Sequence, residues 1–466
     1  MSSLTSVALF TDLYELTMAA SYFQHQMFAP ATFSLFVREL PPQRGFLVAV
    51  GVEEVLRTLE DFAFSEEDIA FLRQDGRFHA DFLDYLQTLR FSGEVHAFPE
   101  GRLCFANEPL LEITAPIIES QIIETLVLNS VHVQTLIASK AARCFAAAQG
   151  RMLVDFSLRR THGIDAGLKV ARASYVAGFD GTSNVLAGKL YKVPFYGTMA
   201  HSFVESFDDE ESSFAAYAET FPDDTALLID TYDTIAGARH AAQVGRQLQQ
   251  HGHRLRGVRL DSGDLLTLSQ ETRAILDAAG LTSARIYASG GLNEEKVARL
   301  VAAGAPIDVF GVGTDMGVSG DAPSLDMAYK LVEYAGAPRL KLSTKKISLL
   351  GKKQVFRVTD AAGRYQSDII AMRDERPEDV APAIPRERIV PLLTQVMARG
   401  KRVQPQPSLQ ETRARFLAEF AKLPETYKQL QPPERYPVTL SPALARFQEQ
   451  SIRRLRARYS AATASA

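Results

Sequence analysis

Five β-rich runs in the middle of this 466-residue chain each end in residues that can do chemistry. Asp155, Arg159 and Arg160 follow Leu153-Val154; Asp230 and Asp233 follow Ala226–Ile229; Asp261 and Asp264 follow Gly257–Leu260. Ser289, Gly290 and Gly291 follow Arg285–Ala288, and Gly311, Gly313 and Thr314 follow the run at 308–310. Carboxylates so placed can hold Mg2+ through one or two oxygens and waters, or they can cap the next helix, as Asp233 and Asp264 are spaced to do. Arg259, inside a strand and just before Asp261, suits a ligand carboxylate or phosphate in two-point fashion. An internal ion pair with Asp155, Asp230 or Asp261 is the other reading. The two glycine loops leave backbone amides open to a phosphate, with a helix start behind them; tight turns alone would also explain them. His201, in Gly197-Thr198-Met199-Ala200-His201, is either a structural imidazole or a nucleophile or base. Neither glycine loop is a dinucleotide fingerprint, since position 316 is Met, and the Gly-Lys pairs at 188, 351 and 400 lack the upstream glycine of a Walker A loop.

The elements that must position these groups alternate. Strand starts at 226, 257, 285 and 308 lie 31, 28 and 23 residues apart, room for a strand, a helix and two loops. Asn293 caps a predicted helix over 294–303, and Gly304 ends it. Parallel strands with helical crossovers follow, hence an α/β barrel or a doubly wound sheet with five polar clusters at the carboxyl ends of its strands. The N-terminal third reads as α+β: strands at 31–37 and 46–50, helices at 52–59, 81–89 and 122–138. Residues 398–466 carry 13 Lys/Arg against 5 Asp/Glu, a balance of +8, with many prolines, and predict an appendage of short helices. The domains expected are 1–140 (α+β), 141–345 (α/β barrel with the site) and 346–466 (strands and a helical appendage). The basic run Arg453 to Arg458 reads as a solvated helix face, an acidic partner being the alternative.

Composition narrows the function class. A formal net charge of −4 shows no general basic field, so nucleic acid is not an expected partner. Cys104 and Cys144 offer neither a disulfide framework nor metal spacing, and point to a reducing compartment. The uncharged stretch 125–139 is too short and too polar to span a bilayer. The first residues lack a basic n-region and meet Asp12 early, unlike a signal peptide. A cytoplasmic enzyme without membrane attachment is the expectation.

Several segments together carry a resemblance: Thr11-Asp12-Leu13-Tyr14-Glu15-Leu16-Thr17-Met18, Asp155 to Arg160, Gly181 to Asn184, Gly197 to Ser202, Gly257 to Asp264, Ala288 to Gly291, Gly311 to Thr314, and 341–355. In this order, over about residues 7–440, they resemble nicotinate phosphoribosyltransferases. That resemblance implies an irregular α/β barrel of the type II phosphoribosyltransferases beside an N-terminal α+β domain, in a homodimer sharing its active sites. It implies an ATP-coupled ligase, using Mg2+, that joins nicotinate to 5-phosphoribosyl 1-pyrophosphate in NAD salvage. His201 would be transiently phosphorylated by ATP, and Asp261 would be catalytic. Tyr14, Thr198 and Arg259 match the nicotinate contacts and Thr314 the donor contact. Gly290, Gly291, Gly311, Gly313, Arg159 and Arg160 would neighbour phosphates. The segment Leu349-Leu350-Gly351-Lys352-Lys353-Gln354 departs from the family's usual Tyr-Pro-Gly-Lys-Lys-Gln type, so no substrate contact is expected there. A quinolinate or nicotinamide phosphoribosyltransferase and a catalytically silent scaffold are the alternatives.

Overall fold

The computed structural model describes residues 7–342 and 348–464, with side chains to 457. Part of the family-like stretch 341–355 and the side chain of Arg458 therefore lie outside the described residues. The chain forms two compact units, one of residues 137–323 and one of 1–136 with 324–466.

In the unit of residues 137–323, six strands run parallel in the order Gly181–Thr182, Met152–Asp155, Val309–Val312, Arg285–Ala288, Gly257–Leu260, Ala226–Leu228. The helices Thr234–Gln250, Leu265–Ala278 and Glu294–Ala302 make the crossovers. Strand Val309–Val312 is buried throughout, as an apolar run covered on both faces should be. The α/β class and parallel register are as expected. Among the described residues no ladder joins the two end strands, so a closed ring is not seen.

Each crossover helix has a side-chain cap. Asp233 accepts from the amides of Ile235 and Ala236, Asp264 from that of Leu266, and Asn293 from that of Lys296. The capping reading of Asp233 and Asp264 is thus the one that holds.

The other unit is built on a seven-stranded antiparallel sheet, in the order Ala337–Pro338, Met327–Tyr334, Pro30–Val37, Leu111–Pro116, Glu94–Ala97, Thr394–Ala398, Lys401–Arg402. This corrects the expected boundaries. The strand Met327–Tyr334, assigned by sequence to the barrel, pairs instead with Pro30–Val37, and Thr394–Ala398 pairs with Glu94–Ala97. The physical reason is edge closure: without those partners two N-terminal strands would keep a row of unpaired amides and carbonyls. The core follows suit, with Phe33, Leu35, Val95 and Ile113 packed in one cluster with Tyr329, Val355 and Leu392. Residues 346–466 are therefore less an appendage than half of a domain.

Candidate active site

The conformation at Gly290 sets the rim. Its φ of +90° is left-handed, and a Cβ there would stand 1.8 Å from the carbonyl oxygen of Asp261. Only glycine lets the turn after Arg285–Ala288 press against the end of the neighbouring strand Gly257–Leu260. That approach brings Ser289 between Arg259 and Asp261. Arg259 donates from Nε to Ser289 Oγ (3.0 Å), from Nη1 to Thr198 Oγ1 (2.7 Å) and Met199 O (3.2 Å), and from Nη2 to Asp261 Oδ1 (3.2 Å). Ser289 in turn donates to Asp261. The guanidinium has five N–H donors; among the described residues four are engaged, leaving one on Nη2. Its side chain is only 14% exposed and lies 5.8 Å from the ring of Phe156.

The carboxylate of Asp261 stays charged. Burial pushes its pKa up, but the Ser289 hydrogen bond, the Arg259 guanidinium and the imidazole of His201 outweigh burial and hold it below its ordinary value.

Asp230 links this group to the imidazole. Its Oδ2 accepts from the backbone N–H of Asp261 (3.0 Å) and from Ser262 Oγ (2.6 Å). Its Oδ1 is buried with no hydrogen-bond partner among the described residues and stands 3.9 Å from His201 Nε2. The opposite ring nitrogen, Nδ1, is 3.2 Å from Thr231 Oγ1. His201 opens the short helix His201–Glu205 with its ring 39% exposed, beside a carboxylate that is 1% exposed. A buried carboxylate oxygen without a donor is costly unless a proton donor or cation meets it, and Nε2 of His201 is the ring nitrogen that faces it.

The remaining candidates separate by role. Arg159 and Arg160 sit exposed on a 3-10 turn after Met152–Asp155. Asp155 does not pair with Arg259; it accepts from Ser157 and Thr182, and its complete burial raises its pKa. The two glycine loops do follow adjacent parallel strands. Gly311, however, is explained by packing, since a Cβ there would lie 2.4 Å from the ring of Phe156. The helix start behind Gly290-Gly291 already carries Glu294, Glu295 and the Asn293 cap, so a phosphate there would rely on the loop amides rather than on the helix dipole. Lys296 Nζ instead reaches Gly291 O at 2.7 Å. Thr314 begins a four-residue helix after Gly313. The sequence alone gives Ser289 no role and does not separate Asp230 from the other rim acids.

Tyr14 belongs to the other unit, on helix Leu13–Gln24. The family-like segment around it is mostly structural. Thr11 donates to Glu15 (2.5 Å) and to Ile122 O (3.1 Å), Thr125 donates its amide to Glu15 (3.1 Å), and Thr125 Oγ1 donates to Asp12 (2.8 Å). These bonds pin the helix and leave Phe10, Leu13 and Tyr14 about half exposed. Burial, then Glu124 and Glu15, raise the Tyr14 pKa, so the phenol stays neutral. In the departing segment, Lys353 is buried against Glu112 (2.8 Å) and Gln354 donates to Leu393 O (2.9 Å).

Three family models match in succession. Residues 9–132 match the nicotinate phosphoribosyltransferase N-terminal domain, 152–348 the nicotinate phosphoribosyltransferase family, and 352–448 its C-terminal domain. Nicotinate phosphoribosyltransferase pncB2 of Mycobacterium tuberculosis is 48% identical over 438 residues, covering 93% of this chain and 91% of its own. The Bacillus subtilis nicotinate phosphoribosyltransferase is 36% identical over 460 residues, covering 94% and 93%. The crystal structure of human nicotinic acid phosphoribosyltransferase superposes with a TM-score of 0.84 at 32% identity, covering 94% of this chain and 99% of that one. With these matches spanning both units and the whole polar rim, the chain belongs to the nicotinate phosphoribosyltransferase family.

Proposed function

We propose that this protein joins nicotinate to 5-phosphoribosyl 1-pyrophosphate, giving nicotinate mononucleotide and pyrophosphate in NAD salvage, with ATP hydrolysed through a phosphohistidine at 201. The observation that carries this reading is the hydrogen-bonded set Thr198–Arg259–Ser289–Asp261, with Asp230 on the Asp261 backbone amide and 3.9 Å from His201, which brings a cation suited to a carboxylate near a phosphorylatable imidazole. Activity on nicotinate is what the names of the relatives say of those proteins.

The chemistry fits the groups. The remaining Nη2 donor of Arg259, with Thr198, receives the nicotinate carboxylate and aims the ring nitrogen at ribose C1. The nitrogen's lone pair forms the new C1–N bond while the C1–O bond breaks, and pyrophosphate leaves with that bond's electrons. Positive charge grows on the ribose as this happens, and the ionised Asp261 is the anion placed to stabilise it. Thr314, the amides of Gly290, Gly291 and Gly313, and Arg159 and Arg160 are assigned to the donor's phosphates. Gly311 serves that loop by making room for Phe156.

His201 accepts the γ-phosphoryl group of ATP. The carboxylate of Asp230 favours the tautomer protonated on Nε2, which leaves the Nδ1 lone pair beside Thr231 to attack phosphorus as the bond to ADP breaks. About two negative charges then stand beside Asp230 and Asp261, and hydrolysis of the phosphohistidine after transfer resets the site.

Mg2+ suits this rim through few protein ligands. Among the described residues no three His, Cys, Asp or Glu side chains are grouped as a metal site, and Asp233 and Asp264 are used as caps. Asp230 and Asp261 remain, a number appropriate to an ion that arrives with phosphates and keeps its waters. When bound, it would neutralise charge on the departing pyrophosphate.

A homodimer is proposed as well. Exposed apolar groups occur in each unit, Phe10, Leu13 and Tyr14 in one, and Val185, Leu190 and Phe195, each more than half exposed, in the other. Such patches want a partner, and Tyr14 would then offer its ring to a pyridine. Two free, buried cysteines suit a cytoplasmic setting. Among the described residues, no helix is long and apolar enough to cross a membrane.

The deciding experiment is a product assay with nicotinate or nicotinamide, the donor sugar, and ATP present or absent. Strong preference for the acid and stimulation by ATP are expected; equal use of acid and amide would defeat the assignment.

A further inference from the structure

Behind the two glycine loops lies a charge cluster around a buried lysine, to which the proposed reaction gives no part. Lys140, on helix Glu124–Ala148, has a side chain only 2% exposed. Its Nζ stands 2.7 Å from Glu294 Oε2, 2.7 Å from Asp315 Oδ2 and 3.1 Å from Asp321 Oδ1. Arg143, one turn along the same helix, meets Glu294 at 2.9 Å. Burial lowers the pKa of the amine, but Glu294, Asp315 and Asp321 together raise it further, so Lys140 stays an ammonium.

The position of the acids matters more than their number. Glu294 starts the helix after Gly290-Gly291, and Asp315 immediately follows Thr314 in the loop after Val309–Val312. One ammonium thus holds the chain just beyond both loops. The second loop is shaped to it: the Gly320 amide donates to Asp315 O (2.9 Å), and a Cβ at Gly320 would stand 2.2 Å from Asp315 Oδ1. No side chain at 320 could coexist with the Asp315 carboxylate where it reaches Lys140. Burying Lys140 against Glu294, with Asp315 and Asp321 partly covered, costs desolvation that an apolar contact would avoid, and fixed loop spacing is what this arrangement supplies.

We infer that Lys140 is a positioning residue that sets the spacing of the Gly290-Gly291 and Gly311–Thr314 loops and thereby the fit of the phosphoribosyl donor. The inference rests on the reading that those loops receive the donor's phosphates. Lys140 also partly neutralises the carboxylates behind them, which would otherwise repel a polyanion.

The test is steady-state kinetics on the intact enzyme for Lys140→Met, Lys140→Arg, Asp315→Asn and Thr314→Ala, with each substrate varied in turn. In Lys140→Met the KM for the donor rises about 10- to 100-fold, the range typical of lost support or small misplacement around a site, while the nicotinate KM holds. Lys140→Arg recovers most of the loss, because a cation still meets the acids. Asp315→Asn, which keeps Glu294 and Asp321 on the lysine, shows the same donor-specific change in milder form and decides the question if Lys140→Met does not fold. A folded Lys140→Met with unchanged donor KM, or with both KM values raised alike, overturns the inference. So does an Asp315→Asn that leaves the donor KM unmoved. A donor KM raised in Thr314→Ala but not in Lys140→Met overturns the role of Lys140 alone; no change in either removes the reading of the loops as well.

Discussion

Arg259 meets the protein through four of its five donors, so a lysine in its place would lose more than a fork. Arg259→Lys should raise the nicotinate KM by about tenfold or more, as expected when charge-assisted hydrogen bonds worth about 1.5–3 kcal/mol go unmade; an unchanged KM would make the residue purely structural. His201→Ala should abolish ATP hydrolysis coupled to product while leaving slow, ATP-independent transfer. Persistence of hydrolysis in step with product would show that another group accepts the phosphoryl. At this scale much was legible. A strand arginine followed by Asp261 and Asp264, and a histidine after Gly-Thr, are visible as letters, and the structure brings Arg259, Asp261, Thr198 and His201 into one connected set. Less legible was the bare oxygen of Asp230, because it is defined by the donors that do not reach it. The role of Ser289 was hidden for a similar reason, since its partners Arg259 and Asp261 lie 30 and 28 positions away, in and just after a neighbouring strand.

Elements were legible where local rules suffice. The strands at 257–260 and 285–288 and the capped helix from Glu294 follow from apolar runs, Asn293 and Gly304. The run at 46–50 keeps only Leu47–Val48 as strand, since it pairs with the two-residue strand Leu103–Cys104. The helix predicted at 122–138 continues to Ala148 through an alanine-rich stretch that favours helix. Gly311 also makes room for the ring of Phe156, a packing demand that no local rule reveals. Two substitutions test the element scale. Asp233→Ala removes a cap shared by two amides, and should lower stability by about 1 kcal/mol with little change in turnover, measured by urea unfolding. Gly290→Ala should be far more damaging to both, because the added carbon would collide with Asp261 O; a variant with native stability would refute the close approach.

For the molecule as a whole, acid sensitivity has a named contributor. Burial, then Arg373, lowers the His96 pKa from 6.5 to about 4. The folded protein keeps this imidazole neutral while the unfolded chain takes up a proton, so this contribution is intact above pH 6.5 and is lost as pH falls towards 4. His96→Asn should therefore flatten the decline of Tm across that window; parallel curves for the two proteins would assign the acid loss elsewhere. The domain plan was the least legible level, because pairing between residues near 33 and near 330 leaves no local mark. Its consequence concerns synthesis. The strands Pro30–Val37 and Glu94–Ala97 leave the ribosome long before their partners at 327–334 and 394–398 exist, whereas residues 137–323 emerge as an uninterrupted block. The middle of the chain can mature first while its beginning waits, with naked strand edges, for the end. A nascent chain stalled between residues 97 and 398 should be a client of chaperones that shield such edges, and aggregation threatens most over that interval.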